Sequence, residues 1–202
     1  MRIVAIDASP SRGVVSLTVE AAARSAERAE ATVDRVRLAE LRIMSCTGCG
    51  MCHYGEGCKI ADDLPGLARQ IADADGVIIG LPAYFRRPDP ALETMLGRLK
   101  RFFPRDAQLV LPGLDLHGGP RSVHARSAKR AVIITASRAP EPLATFFGYT
   151  TGPIRELRSA LGAGGIRTVG SLALTGGWWR ESFDEWEREK ATSLGRMLAG
   201  RL

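Results

Sequence analysis

Gly76-Val77-Ile78-Ile79-Gly80-Leu81 is the stretch that decides the fold. A strand with one face in water alternates apolar and polar residues, because successive side chains point to opposite faces. This run has no polar residue, so it reads as a strand buried on both faces, in the middle of a parallel sheet covered by helices. Residues 2–7 form a second short apolar strand, and Val33, Val36 and Leu38 mark another. Ala131-Val132-Ile133-Ile134-Thr135 gives a fourth strand, and Ile166 to Leu174 a fifth.

Helical signals fill the gaps between these strands. Val15, Val19, Ala22, Ala26 and Ala29 recur with a helical period across residues 14–30. Asp62 is placed to cap a helix through about Ala74, with Pro65 in its first turn. Asp89-Pro90 reads as N-cap and first residue of the next, whose face carries Leu92, Met95, Leu96, Leu99 and Phe103. A helix is expected over 142–162, interrupted near Gly148 and Gly152. Ser182-Phe183-Asp184-Glu185 reads as a capping box opening a last helix. Phe183, Trp186, Leu194, Met197 and Leu198 are expected on its buried face.

Regular alternation of strand and helix predicts an α/β three-layer sandwich with helices on both sides of a parallel sheet. Five strands fit the flavodoxin-like order 2-1-3-4-5, whose ligand lies at the switch point between strands 1 and 3. The loops expected around such a ligand are 8–16, 82–88 and 135–140. At 202 residues the chain is read as one domain, 1–202. Residues 104–128, rich in Pro, Gly, Arg and His, show no period and read as a lid, a binding loop or disorder.

All four cysteines fall in one loop: Cys46, Cys49, Cys52 and Cys58, spaced C-x2-C-x2-C-x5-C. A soft metal neutralises thiolates that would otherwise repel one another. Four thiolates are the ligand set of a [4Fe–4S] cluster, and a C-x2-C-x2-C run supplies three of them from one loop. Structural zinc more often uses two separated C-x2-C pairs. Reduced, metal-free cysteines are the third reading. His53 fits a solvated or supporting role better than that of a ligand.

Composition narrows the function classes. The chain has 28 Lys and Arg against 22 Asp and Glu, a net charge of +6. Only Lys59, Lys100, Lys129 and Lys190 are lysines. The charge is spread out and the few aromatics are not interleaved with a basic stripe, which argues against nucleic-acid binding. No apolar run reaches the length of a membrane span. The N-terminus reads directly as a strand without a leader pattern, so a cytoplasmic location with reduced thiols is expected.

Two loops carry the cofactor argument. Ser9-Pro10-Ser11-Arg12-Gly13-Val14-Val15-Ser16 offers hydroxyls, a guanidinium and N–H groups at a helix N-terminus. These can hold a phosphate, although plain N-capping explains the serines equally well. The loop matches neither the ATP-binding nor the dinucleotide-binding glycine pattern. Pro82-Ala83-Tyr84-Phe85 puts two aromatics at the end of the buried strand; read alone they could be ordinary packing residues, and read with the first loop they suit the flat walls a flavin ring needs.

Cys46-Thr47-Gly48-Cys49 with Cys52, then Cys58 with Asp62-Asp63-Leu64, then Ala74-Asp75-Gly76-Val77-Ile78-Ile79-Gly80 with Pro82, Tyr84 and Phe85, resembles the iron–sulfur flavoproteins. The same motifs resemble the wider NAD(P)H-dependent FMN reductases of flavodoxin-like fold. The match covers about residues 1–100. The resemblance implies that Ser9, Ser11, Arg12, Gly13, Val15 and Ser16 surround the FMN phosphate. It implies that Pro82, Ala83, Tyr84 and Phe85 border the isoalloxazine, with Ser137 on the third loop. The family usually shows Asn-Thr where Val15-Ser16 stand, a Lys near Glu93, and Asp-Arg near Gly97-Arg98. Of the last three, Arg98 remains.

The leading expectation is an FMN-dependent oxidoreductase in which a [4Fe–4S] cluster on Cys46, Cys49, Cys52 and Cys58 exchanges electrons with FMN. Alternatives are a cluster-free NAD(P)H-dependent FMN or quinone reductase, and a non-enzymatic electron carrier or metal or FMN sensor. NAD(P)H is a possible co-substrate. The expected partners are a small-molecule or protein electron donor or acceptor and further copies of the chain, as homodimer or homotetramer. Tyr84, His117 and His124 are acid–base candidates only by residue type.

Overall fold

The structure, a computed structural model, describes residues 1–51, 58–83, 90–99, 129–177 and 180–200. Five strands form one parallel sheet: β1 (Arg2–Asp7), β2 (Thr32–Arg37), β3 (Gly76–Ala83), β4 (Arg130–Ser137) and β5 (Arg167–Leu174). Their spatial order is β2-β1-β3-β4-β5, the flavodoxin-like order expected for five strands. The helices are α1 (Val14–Glu27), α2 (Leu64–Asp73), α3 (Pro90–Leu99), α4 (Leu143–Phe146), α5 (Thr151–Ala163) and α6 (Glu185–Gly200).

Strand alternation sends neighbouring residues of β1 to opposite layers. Val4 and Ile6 pack with Leu64, Leu67, Leu92, Met95 and Leu157, from α2, α3 and α5. Ile3 and Ala5 pack with Val15, Val19, Ala22 and Leu198, from α1 and α6. All eight residues of β3 are buried, which explains its unbroken apolar character. Each fully buried Ile or Leu stabilises the fold by about 1.5–3 kcal/mol through removal of apolar surface from water.

Two glycines set how closely the α1 layer approaches. A Cβ on Gly80 of β3 would lie 2.1 Å from Val19 Cγ2, and one on Gly195 of α6 would lie 2.1 Å from the Ala22 carbonyl oxygen. The first lets α1 sit directly on the sheet, and the second lets α6 lie against the backbone of α1.

Several expectations shift at their edges. The 142–162 helix is broken at Gly148, whose φ of 66° ends α4. Gly152, in contrast, lies inside α5. Leu38 leaves β2 and enters a 3-10 turn, Leu38–Glu40. Ala29 lies past the end of α1 and is exposed. The capping box at α6 is two residues later than the sequence suggests: Glu187 Oε2 accepts the Asp184 N–H at 2.8 Å. Trp186 is 56% exposed, a correction to its expected place in the core. The buried stripe of α6 is Glu187, Ala191, Gly195, Leu198 and Ala199, and Trp186 lies one residue, about 100° of helix, away from it. Leu194 and Phe183 pack partly against this core, as expected. No helix among the described residues is long and apolar enough to cross a membrane.

Candidate functional site

The sheet register places the candidate site. Asp7, the last residue of β1, lies level with Arg37 of β2 and Gly80 of β3. Beyond that level β3 runs on beside β4, pairing Pro82 with Ala136 and Ala83 with Ser137. A step therefore forms between β1 and β3 at the carboxyl edge, where chain connections depart in opposite directions. The loop from Ser9 enters this step, and the Ala8 N–H donates to the Gly80 carbonyl at 2.8 Å.

The loop is organised by Asp7, a residue that sequence reasoning passed over as part of a strand. Asp7 Oδ1 accepts the Ser9 N–H at 2.9 Å and also the Ser9 hydroxyl. Oδ2 accepts the Ser16 hydroxyl at 2.6 Å. The Ser9 and Ser16 oxygens are 3.0 Å apart, and Arg37 Nε lies 3.5 Å from Oδ2. Ser9 is buried, whereas Ser11 and Arg12 are exposed. Gly13 occupies the N-cap of α1, has no side chain to cap it, and is followed by Val14 and Val15, both buried. No acidic residue stands in the first turn. A helix start of this kind leaves first-turn N–H groups for an external acceptor.

Pro82, Ala83 and Ser137 lie on the same edge, all buried. The Ser137 hydroxyl donates to the Ala139 carbonyl at 3.3 Å, and its carbonyl accepts the Gly177 N–H at 2.9 Å. These bonds tie the loops after β4 and β5 together. Tyr84, Phe85, Cys52, His53 and the 104–128 loop with His117 and His124 lie outside the described residues.

The cysteine loop is pinned at both ends. Near its start, the Arg42 N–H donates to Asp63 Oδ2 at 2.7 Å and the Met44 N–H to Asp62 Oδ2 at 2.9 Å. Asp62 also takes the Leu64 N–H at 3.2 Å, so it does cap α2, although Asp63 is the residue at the N-cap. The centre of this clamp is Arg98 of α3, whose side chain is 3% exposed. Its Nη1 donates to Asp62 Oδ2 and to the Met44 carbonyl, the latter at 2.8 Å. Its Nη2 reaches Asp62 Oδ1 at 3.2 Å and Cys58 Sγ at 3.3 Å. Arg98 stands out in sequence only through the family resemblance, because an arginine on an apolar helix face has no local signature of its partner.

These contacts set the electrostatics of the loop. Burial pushes the Cys58 thiol up, but the Ile60 N–H and the Arg98 guanidinium outweigh it and hold the thiol below its ordinary range. Cys46 and Cys49 are exposed. Gly48 and Gly50, at φ of 70° and 73°, turn the backbone so that the Gly48 N–H points to Cys46 Sγ at 3.5 Å. Donors aimed at sulfur suit thiolate ligands, so Cys46 and Cys58 fit an anionic metal centre by their surroundings, and Cys49 offers an exposed thiol beside them. Among the described residues no three potential ligands already converge on one point.

The model of the NADPH-dependent FMN reductase family matches residues 1–137. An iron–sulfur flavoprotein of Archaeoglobus fulgidus is 30% identical over 200 residues, which is 98% of this chain and 79% of that one. Among solved structures, a flavone reductase has a TM-score of 0.73 at 16% identity, with 99% of this chain covered. This chain spans 62% of that reductase's length. An NAD(P)H:quinone oxidoreductase from Methanothermobacter marburgensis has a TM-score of 0.67 at 19% identity, covering 98% of this chain and 96% of its own. The two solved structures show the shared fold. With a family model across more than half its length and a 30% identical relative along nearly all of it, the chain belongs to the NADPH-dependent FMN reductase family, a family of FMN-dependent oxidoreductases.

Proposed function

We propose that this chain is an FMN-dependent oxidoreductase whose cysteine loop carries a [4Fe–4S] cluster. The observation that supports it most is the step at the carboxyl edge between β1 and β3, where the Ser9–Ser16 loop meets the N-terminus of α1. Ser9, Ser11, Arg12, Gly13, Val15 and Ser16 would surround the flavin phosphate, with the Ser11 hydroxyl, the Arg12 guanidinium and backbone N–H groups as its donors. Pro82, Ala83, Tyr84 and Phe85 would border the ring, and Ser137 the third side. Cys46, Cys49, Cys52 and Cys58 would ligate the cluster, with Arg98 donating to the Cys58 sulfur. Bound FMN supplies one- and two-electron chemistry, and the cluster exchanges one electron at a time. NAD(P)H is the proposed donor, with a small molecule or protein as acceptor. The proposed assembly is a homodimer or homotetramer, since an open sheet edge leaves a flavin uncovered in one copy. The proposed location is the cytoplasm, where thiols stay reduced.

The exposure of Cys46 and Cys49 favours a second reading, a cluster-free NAD(P)H-dependent FMN or quinone reductase. Protein purified without oxygen separates the two. The leading reading expects flavin bands, broad absorption near ~400 nm and about four irons per chain. Full FMN occupancy with iron near zero after anaerobic reconstitution selects the cluster-free enzyme. No flavin uptake at all overturns both.

A further inference from the structure

A phosphate-binding loop has no evident use for a carboxylate at its centre, yet Asp7 occupies that position with its side chain 9% exposed. Both of its oxygens take hydroxyl protons, from Ser9 and from Ser16. Each hydroxyl has a single proton to give. While Asp7 is ionised, the two serines are therefore committed to it and present only lone pairs elsewhere. A phosphate dianion also offers only lone pairs and needs donors. Ser9 and Ser16 can serve it only by releasing Asp7, which sets two anions around the same pair of hydroxyls. Arg37 does not offset this fully, because it is shared between Asp7 at 3.5 Å and Glu40 at 3.4 Å. For the phosphate there remain Ser11, the exposed Arg12 and the first-turn N–H groups of α1.

We propose that Asp7 is a specificity-determining residue that weakens the loop's hold on a phosphate dianion, so that the chain binds FMN little better than riboflavin. The inference rests on the reading of this loop as the flavin cradle. It makes the flavin an exchangeable ligand, held mainly by its ring, and it assigns the weakness to one side chain.

The test titrates the full chain, freed of flavin, with FMN and with riboflavin by quenching of flavin fluorescence. It compares the parent, Asp7→Asn and Asp7→Ser. Asparagine keeps an acceptor for the Ser9 N–H while its amide returns a hydroxyl proton to the loop. Serine removes the charge by a different route, which covers a local distortion caused by asparagine. The parent is expected to bind the two flavins within about tenfold of each other. Both variants are expected to tighten FMN by about tenfold or more, the size of one charge-assisted hydrogen bond, while riboflavin moves less than about threefold. Unchanged or weaker FMN binding in both variants, with native circular dichroism and riboflavin still bound, overturns the role of Asp7 alone. So does a parent that prefers FMN by more than roughly a hundredfold. Failure of every protein to bind either flavin overturns the flavin reading of the loop, and this inference with it.

Discussion

Arg98→Met is the substitution that most directly tests how the cysteine loop is held. The Arg98 and Asp62 side chains are 3% and 0% exposed, so their charges have little water to fall back on. Removing the guanidinium leaves Asp62 with two donors, the N–H groups of Met44 at 2.9 Å and Leu64 at 3.2 Å. Taking one partner from a buried ion pair costs about 3–5 kcal/mol, and the surviving N–H groups place this case near ~3. Methionine replaces most of the arginine stem, so lost packing adds little. In a chain of this length each kcal/mol lowers Tm by about 2–4 °C, which gives a fall of roughly 6–12 °C. Thermal and urea unfolding at pH 7, followed by circular dichroism, measures it. The Asp62→Asn/Arg98→Met double variant should recover a good part of the loss, because no charge is then left buried alone. A single-variant loss below about 1 kcal/mol, or a double variant no better than the single, refutes the reasoning.

Asp62 should also show itself in acid. Burial opposes its ionisation, but Arg98 and the Met44 and Leu64 N–H groups outweigh that and hold it below the ordinary carboxylate range. A carboxylate lower in the folded state than its unfolded value of about 3.9 adds stability above that pH, lost as pH falls through the folded value. Asp62→Asn should therefore lie below the parent in urea midpoint at pH 7, with the gap closing below about pH 4. Gly195→Ala drives a methyl into the Ala22 backbone, and is expected to cost about 1–3 kcal/mol despite better helix propensity. Gly162→Ala in α5 meets no atom within 4 Å and should gain up to about 1 kcal/mol, so equal midpoints for these two variants would contradict the packing of α6 on α1. Cys49→Ala should lose iron yet keep FMN, since the loops proposed for each are separate; iron and flavin content of anaerobic protein is the check.

The composition of each strand was enough to identify the sheet. Val77 to Leu81 and Ala131 to Thr135 carry no polar alternation, and a chain of short buried strands separated by helical periods leaves few parallel topologies. The serine-rich loop after β1 and the cysteine spacing could be picked out because the residues of each are neighbours in sequence. The alignments that escaped sequence reading depend on contacts across the fold. Trp186 stays outside the core because α6 turns Gly195 against Ala22, a packing constraint 173 residues away in sequence. Asp62 and Arg98 find each other across 36 residues, and Arg98 reaches Met44 across 54. Neither separation leaves a periodic trace. Asp7 looked like the polar end of a strand until the tertiary turn folded Ser16 back onto it, nine residues on. A hydrogen bond of that kind is directional and local in space, so only the three-dimensional path of the loop decided whether this carboxylate faces water or the proposed phosphate cradle.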